Sequence, residues 1–158
     1  MPKVYDIIRK QWVTALPEEV MRQKLIRLMV NDLGYPPSLI AVEKELASLS
    51  YLKADDLGQL KRRMDIICFA KDIHPEHKLY PLLVIECKRE KLTQSALDQV
   101  LGYNHYIRAF YIAIASPDEL KTFWYSRLDG EYKSVDFLPS YKELLNSIML
   151  KQHESMAN

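Results

Sequence analysis

Pro81-Leu82-Leu83-Val84-Ile85-Glu86-Cys87-Lys88 is the stretch that decides how this chain is read. Residues 80–87 are short, aliphatic and bounded by turn signals, which predicts a strand buried on both faces. Residues two apart in a strand share a face, so Glu86 and Lys88 project together from its end. The pattern Glu-x-Lys also occurs at Glu76-x-Lys78, Glu119-x-Lys121 and Glu131-x-Lys133. Those three lie in polar or loop-like stretches, where a solvated ion pair is the ordinary reading. Only Glu86-x-Lys88 ends an apolar strand, where an unpaired charge is costly.

Working outward, residues 64–70 predict a second buried strand, with Asp65 placed directly before Ile66-Ile67-Cys68-Phe69. Residues 71–78 form the loop between the two strands. If they pair as a hairpin, Asp65 comes to the same sheet end as Glu86. Two carboxylates a few ångströms apart repel each other and favour a divalent cation, and oxygen donors suit magnesium or manganese. Such a cation polarises a phosphodiester and lowers the pKa of a bound water, while a lysine positions that water or steadies developing charge. Asp65, Glu86 and Lys88 are therefore the candidate catalytic residues, the first two as metal ligands.

Elsewhere the pattern alternates helix and strand. Residues 17–33 predict a helix: Pro17 suits its first position, Met21, Leu25, Leu28 and Met29 recur at helical spacing, and Gly34 is a stop. A helical wheel sets Glu18 and Arg22 within that apolar stripe and Glu19 further round. Glu18 is thus a third candidate ligand or a partner of the helix dipole. Residues 39–46 predict a strand, 47–60 a polar loop, and 93–107 a helix capped by Thr93. On that helix Gln99 and Tyr103 share a face beside Leu97, Val100 and Leu101. Residues 110–115 predict another buried strand. Residues 121–125 and 132–137 predict a hairpin turning near Asp129-Gly130, and 140–152 a closing helix. The order describes one α/β domain over residues 1–158, with a sheet flanked by helices.

Composition narrows the chemistry. The 158 residues hold four glycines, Gly34, Gly58, Gly102 and Gly130, too scattered for a phosphate-cradling loop. A nucleotide cofactor is not expected, and the chemistry falls to side chains. Lys plus Arg is 22 against 21 for Asp plus Glu, so the net charge of +1 gives no global attraction for nucleic acid. Local basic clusters exist: Lys61-Arg62-Arg63 precedes Asp65, and Arg89 with Lys91 follows Lys88. They would flank the same sheet end, as a phosphate backbone requires. Cys68 and Cys87 sit in apolar runs, which fits a reducing compartment rather than a disulfide framework. Neither a signal peptide nor a membrane span is read in the sequence, so the expected location is the cytoplasm.

Met64-Asp65, Glu86-Cys87-Lys88 and Gln99-x-x-x-Tyr103 together resemble the PD-(D/E)-x-K nuclease superfamily. Ile8-Arg9-Lys10-Gln11-Trp12-Val13, Pro17-Glu18-Glu19 with Arg22-Gln23, Leu33-Gly34-Tyr35-Pro36, Val42-Glu43-Lys44, and Asp98-Gln99 with Tyr103-Asn104 narrow the likeness. It is to the N-terminal nuclease domain of type I restriction enzyme R subunits and its small stand-alone relatives. The resemblance implies a restriction-endonuclease-like αβββαβ core with a mixed sheet, here extended by a C-terminal hairpin and helix. It also implies magnesium-dependent (or manganese-dependent) DNA cleavage. Asp65, Glu86 and Glu18 become metal ligands, and Lys88 the catalytic lysine. Gln99 supports the site, while Tyr103 joins Lys61, Arg62, Arg63 and Arg89 as DNA contacts. The expected partners are DNA and either a second copy or an accessory protein. The alternative is a non-catalytic DNA-binding or assembly module that keeps the fold. Two departures stand out: Leu16 replaces the usual threonine before Pro-Glu-Glu, and Ala115-Ser116-Pro117 replaces Thr-Asn-Gly.

Overall fold

The computed structural model describes residues 1–45, 49 and 63–157, with side chains except at 45, 63 and 151–157. A two-stranded ribbon, β1 (Lys3–Asp6) and β2 (Gln11–Thr14), comes first. Helix α1 (Pro17–Arg27) widens into a π-helical turn (Leu28–Asp32), followed by a short 3-10 turn (Pro37–Leu39). Then come β3 (Ile40–Glu45), β4 (Arg63–Lys71), β5 (Leu79–Cys87), α2 (Gln94–Ile107), β6 (Tyr111–Ala115), β7 (Leu120–Ser126), β8 (Glu131–Val135) and α3 (Tyr141–Ala157).

Strands β3 to β8 form one six-stranded sheet in sequence order. Every neighbouring pair is antiparallel except β5 and β6, which are parallel and joined through α2. A parallel pair needs such a crossover, because the chain must return to the same sheet end. The architecture is α/β with a mixed sheet, as a restriction-endonuclease-like core requires.

The sheet is covered on both faces. Ile66, Cys68, Leu83, Ile85 and Ala113 pack with Ile26 and Met29 of the first helical segment and Leu144 and Ile148 of α3. Ile67, Val84, Ile112 and Ile114 pack with Val100 and Ile107 of α2. All five residues of β6 are buried, which explains its uninterrupted apolar sequence. Pro81 breaks the rule against proline in a central strand. It sits where the β4–β5 register slips, with Cys68 opposite Leu83 but Phe69 opposite Pro81. A bulge already interrupts the ladder, which is where a strand tolerates a residue without an N–H.

Several expectations shift. The ribbon was not anticipated, because residues 3–14 carry little apolar periodicity. The 17–33 helix is α-helical only to Arg27. Its buried side is also rotated: Glu19, Arg22 and Gln23 are buried with Leu25 and Ile26, while Leu28 is exposed. Arg22, Leu25 and Met29 are buried as the helical wheel expects, but Glu19 and Gln23 join them and Glu18 and Leu28 do not, so the buried face is rotated towards Glu19 and Gln23. The expected 47–60 loop lies, Leu49 apart, outside the described residues, as do Lys61 and Arg62. Among the described residues no helix is long and apolar enough to cross a membrane.

Candidate functional site

The paired ends of β4 and β5 build the site. Ile66 pairs with Ile85, so Asp65 and Glu86 are the next residues at the same sheet end. Val84 packs on the α2 side, and Glu86, two residues on, continues that face. The Glu86 side chain is 7% exposed, with Lys88 Nζ 3.9 Å from its Oε1. The chain leaves β5 through Lys88, whose main-chain N–H donates to Ala115 O at 2.7 Å. That bond fixes the segment entering the loop before α2.

A cleft of about 460 Å³ opens there. Glu18 faces it from α1, Asp65 and Glu86 from the sheet, and Lys88, Arg89, Glu90 and Lys91 from the loop. Thr93 and Ala96, in the first turn of α2, close the far wall. Thr93 caps that helix, its Oγ1 accepting the Ala96 N–H at 3.1 Å. Acidic and basic groups thus alternate round one opening, with the positive end of a helix dipole beside them.

The structure brings together Glu18, Asp65, Glu86, Lys88 and Arg89. Glu18 is about half exposed, 3.5 Å from Arg89 Nη1. Gln99 and Tyr103 are not in this group: Gln99 is exposed on α2, and Tyr103 packs partly buried against the α2-side core. Of Lys61, Arg62 and the Arg63 side chain nothing is described. Leu16 has no side-chain bond to α1, whose first turn goes without a cap at that position. Ser116 makes its own turn, its N–H donating to Glu119 O at 2.8 Å.

Behind the cleft lies an ionic network whose members, Asp6 apart, fall in the stretches that carry the resemblance, where only Asp65 was given a role. Asp65 Oδ2 accepts the Cys87 main-chain N–H at 2.7 Å, and its Oδ1 accepts from Arg22 Nη2 at 3.1 Å. Arg22 also meets Glu19 at 2.5 Å and Glu43 at 2.9 Å. Gln23 donates to Glu19 at 3.0 Å. Arg9, from the ribbon turn, reaches Glu19 at 2.9 Å and Glu43 at 3.3 Å while binding Asp6. Glu43 itself takes a left-handed backbone, φ 55°. It falls between the paired residues Val42–Ile66 and Lys44–Met64, opposite Asp65. Two sequence signals point to Arg22: its charge on the core side of α1, and its place in the matching stretch Arg22-Gln23.

The network shifts its members. Burial alone would push the Arg22 guanidinium down, but Glu19, Asp65 and Glu43 hold it above its ordinary value. Burial also opposes ionising Asp6, yet the N–H groups of Arg9 and Ile8 and the Arg9 guanidinium hold it below the usual carboxylate range. The Cys87 thiol is pushed well up by burial, then by Asp65 and other carboxylates, so it stays protonated.

These donors fit a hard divalent cation. The ionisable acceptors at the cleft are carboxylates, no thiolate competes, and magnesium is typically held by one or two carboxylates with water completing its shell. Among the described residues no three His, Cys, Asp or Glu side chains form a ready-made ligand set.

Comparison with known families decides the lineage. The profile described as Type I restriction enzyme R protein N terminus matches residues 17–139. The chain belongs to this family. The matched span runs from α1 through β8 and contains every cleft residue named above. The ribbon that supplies Asp6 and Arg9 precedes it. Neither a curated protein nor a solved structure matches the chain.

Proposed function

We propose that this chain is a nuclease domain that hydrolyses DNA phosphodiester bonds with a bound magnesium or manganese ion. The observation that carries this reading is the meeting of Asp65 and Glu86 on adjacent strands with Lys88 3.9 Å from Glu86 at one open cleft. Asp65 and Glu86 would hold the ion, with Glu18 across the cleft as a further carboxylate. When bound, the ion supplies Lewis-acid polarisation of the phosphate and acidifies a water. Lys88 orients the attacking water and offsets charge developing on the phosphate. Arg89 and Lys91, with the first turn of α2, favour the approach of the anionic backbone. A second copy of the chain or an accessory subunit would extend that grip. Two free thiols, Cys68 and Cys87, support a reducing, cytoplasmic setting.

The test is cleavage of linear, nicked, supercoiled and single-stranded DNA in magnesium or manganese. Lys88→Ala should lose about 10²–10³ of the wild-type rate. Equal rates in the two proteins would remove Lys88 from the mechanism.

A second reading has an observation of its own. Both Asp65 oxygens already have protein donors, Arg22 and the Cys87 N–H. That suits a DNA-binding or assembly module that retains the fold without catalysis. DNA binding independent of metal and unaffected by Glu86→Ala, with no cleavage, would favour it.

A further inference from the structure

The Arg9–Glu19–Arg22 chain is an expensive way to stabilise a fold. Among the described residues, Asp6, Glu19, Glu43 and Asp65 bring four formal negative charges and Arg9 and Arg22 two formal positive ones, a net of −2. Asp6, Glu19 and Arg22 are 0%, 9% and 5% exposed. Replacing buried ion clusters with apolar packing is often neutral or stabilising. This cluster also leaves the buried Arg22 Nε without a partner and holds Glu43 at a positive φ. Strain of that kind persists where surrounding contacts over-determine it.

The contacts converge on one side chain. Arg22 grips Asp65 Oδ1 while the β5 main chain grips Oδ2, so neither oxygen is left to rotation. Arg22 is itself set by Glu19, and Glu19 is held from its other side by Arg9. Arg9 comes from the ribbon turn, fixed there by Asp6, which also accepts the N–H groups of Ile8 and Arg9.

We propose that Arg22 is a positioning residue for Asp65, and that the ribbon acts as its clamp through Arg9 and Glu19. The proposal rests on the reading of Asp65 as a working carboxylate of the cleft. Against the repulsion of Glu86, Arg22 keeps Asp65 aimed. The ribbon, which precedes the family match, is thereby part of the site without touching the cleft.

The Cys87 amide reports the position of Asp65, because its partner is that side chain rather than a neighbouring strand's carbonyl. Amide hydrogen exchange is measured by NMR on the full chain without divalent ions, for wild type, Arg22→Met, Arg22→Lys and Arg9→Met. In Arg22→Met, exchange at Cys87 should rise about tenfold more than at Val84 and Ile85 in the same strand. Arg22→Lys should restore part of the protection, and Arg9→Met should show a smaller selective rise. If Cys87 changes only in step with Val84 and Ile85 in Arg22→Met, the proposal is overturned. Should that variant fail to fold, an unselective result in both Arg22→Lys and Arg9→Met overturns it equally. Manganese titration by calorimetry adds the consequence: affinity about tenfold weaker in Arg22→Met supports the proposal, and equal affinity contradicts it. A wild type that binds no manganese defeats the nuclease reading, while the metal-free exchange still decides the role of Arg22.

Discussion

Asp65 Oδ2 lies 2.7 Å from the main-chain nitrogen of Cys87. The side chain continues the β4–β5 ladder past its last paired residues, Ile66 and Ile85. A carboxylate of the cleft is therefore also a structural acceptor. Asp65→Ala strands the Cys87 N–H and removes one Arg22 partner, and should lower unfolding free energy by about 1–3 kcal/mol. Asp65→Asn keeps an acceptor for the amide and should lose less. Urea unfolding of both variants in metal-free buffer checks the order.

Glu43 separates strain from charge. Glu43→Gln keeps the left-handed backbone and loses the ion pairs with Arg9 and Arg22. Glu43→Gly loses the same pairs but adopts φ 55° without steric cost. The glycine variant should be the more stable of the two by about 1 kcal/mol, read from denaturant midpoints. A less stable glycine variant would mean that Glu43 is not strained.

Asp6 gives the network a pH signature. Its folded pKa is lowered, so its contribution is fully present above the unfolded carboxylate value. It is lost as pH falls through the still lower folded value. Asp6→Asn should therefore melt below wild type at neutral pH, with the gap narrowing as pH drops below about 4. Thermal melts across that range check the sign, and a gap that widens towards acid contradicts it.

Arg89 should act on DNA as a charge rather than as a reader of sequence. It is mostly exposed and pairs only loosely with Glu18. Arg89→Ala should weaken binding alike for different DNA sequences. It should also reduce the slope of log affinity against log salt by about one. Fluorescence anisotropy at several salt concentrations measures both.

The strand signals in the sequence were strong because β4, β5 and β6 are buried on both faces and carry uninterrupted apolar runs. The placement of Asp65 beside Glu86 followed from the hairpin alone. Thr93 was legible as a cap because an N-terminal threonine has one local job. The orientation of α1 was legible in part: Arg22, Leu25 and Met29 face inward as their spacing implies, while the burial of Glu19 and Gln23 was not foreseen. Glu19 and Arg22 are buried against partners far away in sequence, Arg9, Glu43 and Asp65, and Gln23 bonds to Glu19 from the next turn. The ribbon escaped because its ties to the rest of the fold, Arg9 to Glu19 and Glu43 and the packing of Ile7 and Ile8 on the core, leave no regular apolar period along residues 3–14. Gln99, grouped with the site by its spacing to Tyr103, stands exposed on α2 because that helix meets the cleft by its first turn.

Whether Asp65 and Glu86 hold a metal ion is read from a crystal soaked in manganese, with anomalous scattering recorded for the ion. An anomalous peak bonded to oxygens of both Asp65 and Glu86, with Lys88 lining the same space, is expected. A crystal saturated with manganese that shows no peak at these carboxylates, with Asp65 still held by Arg22 and Cys87, would contradict that role.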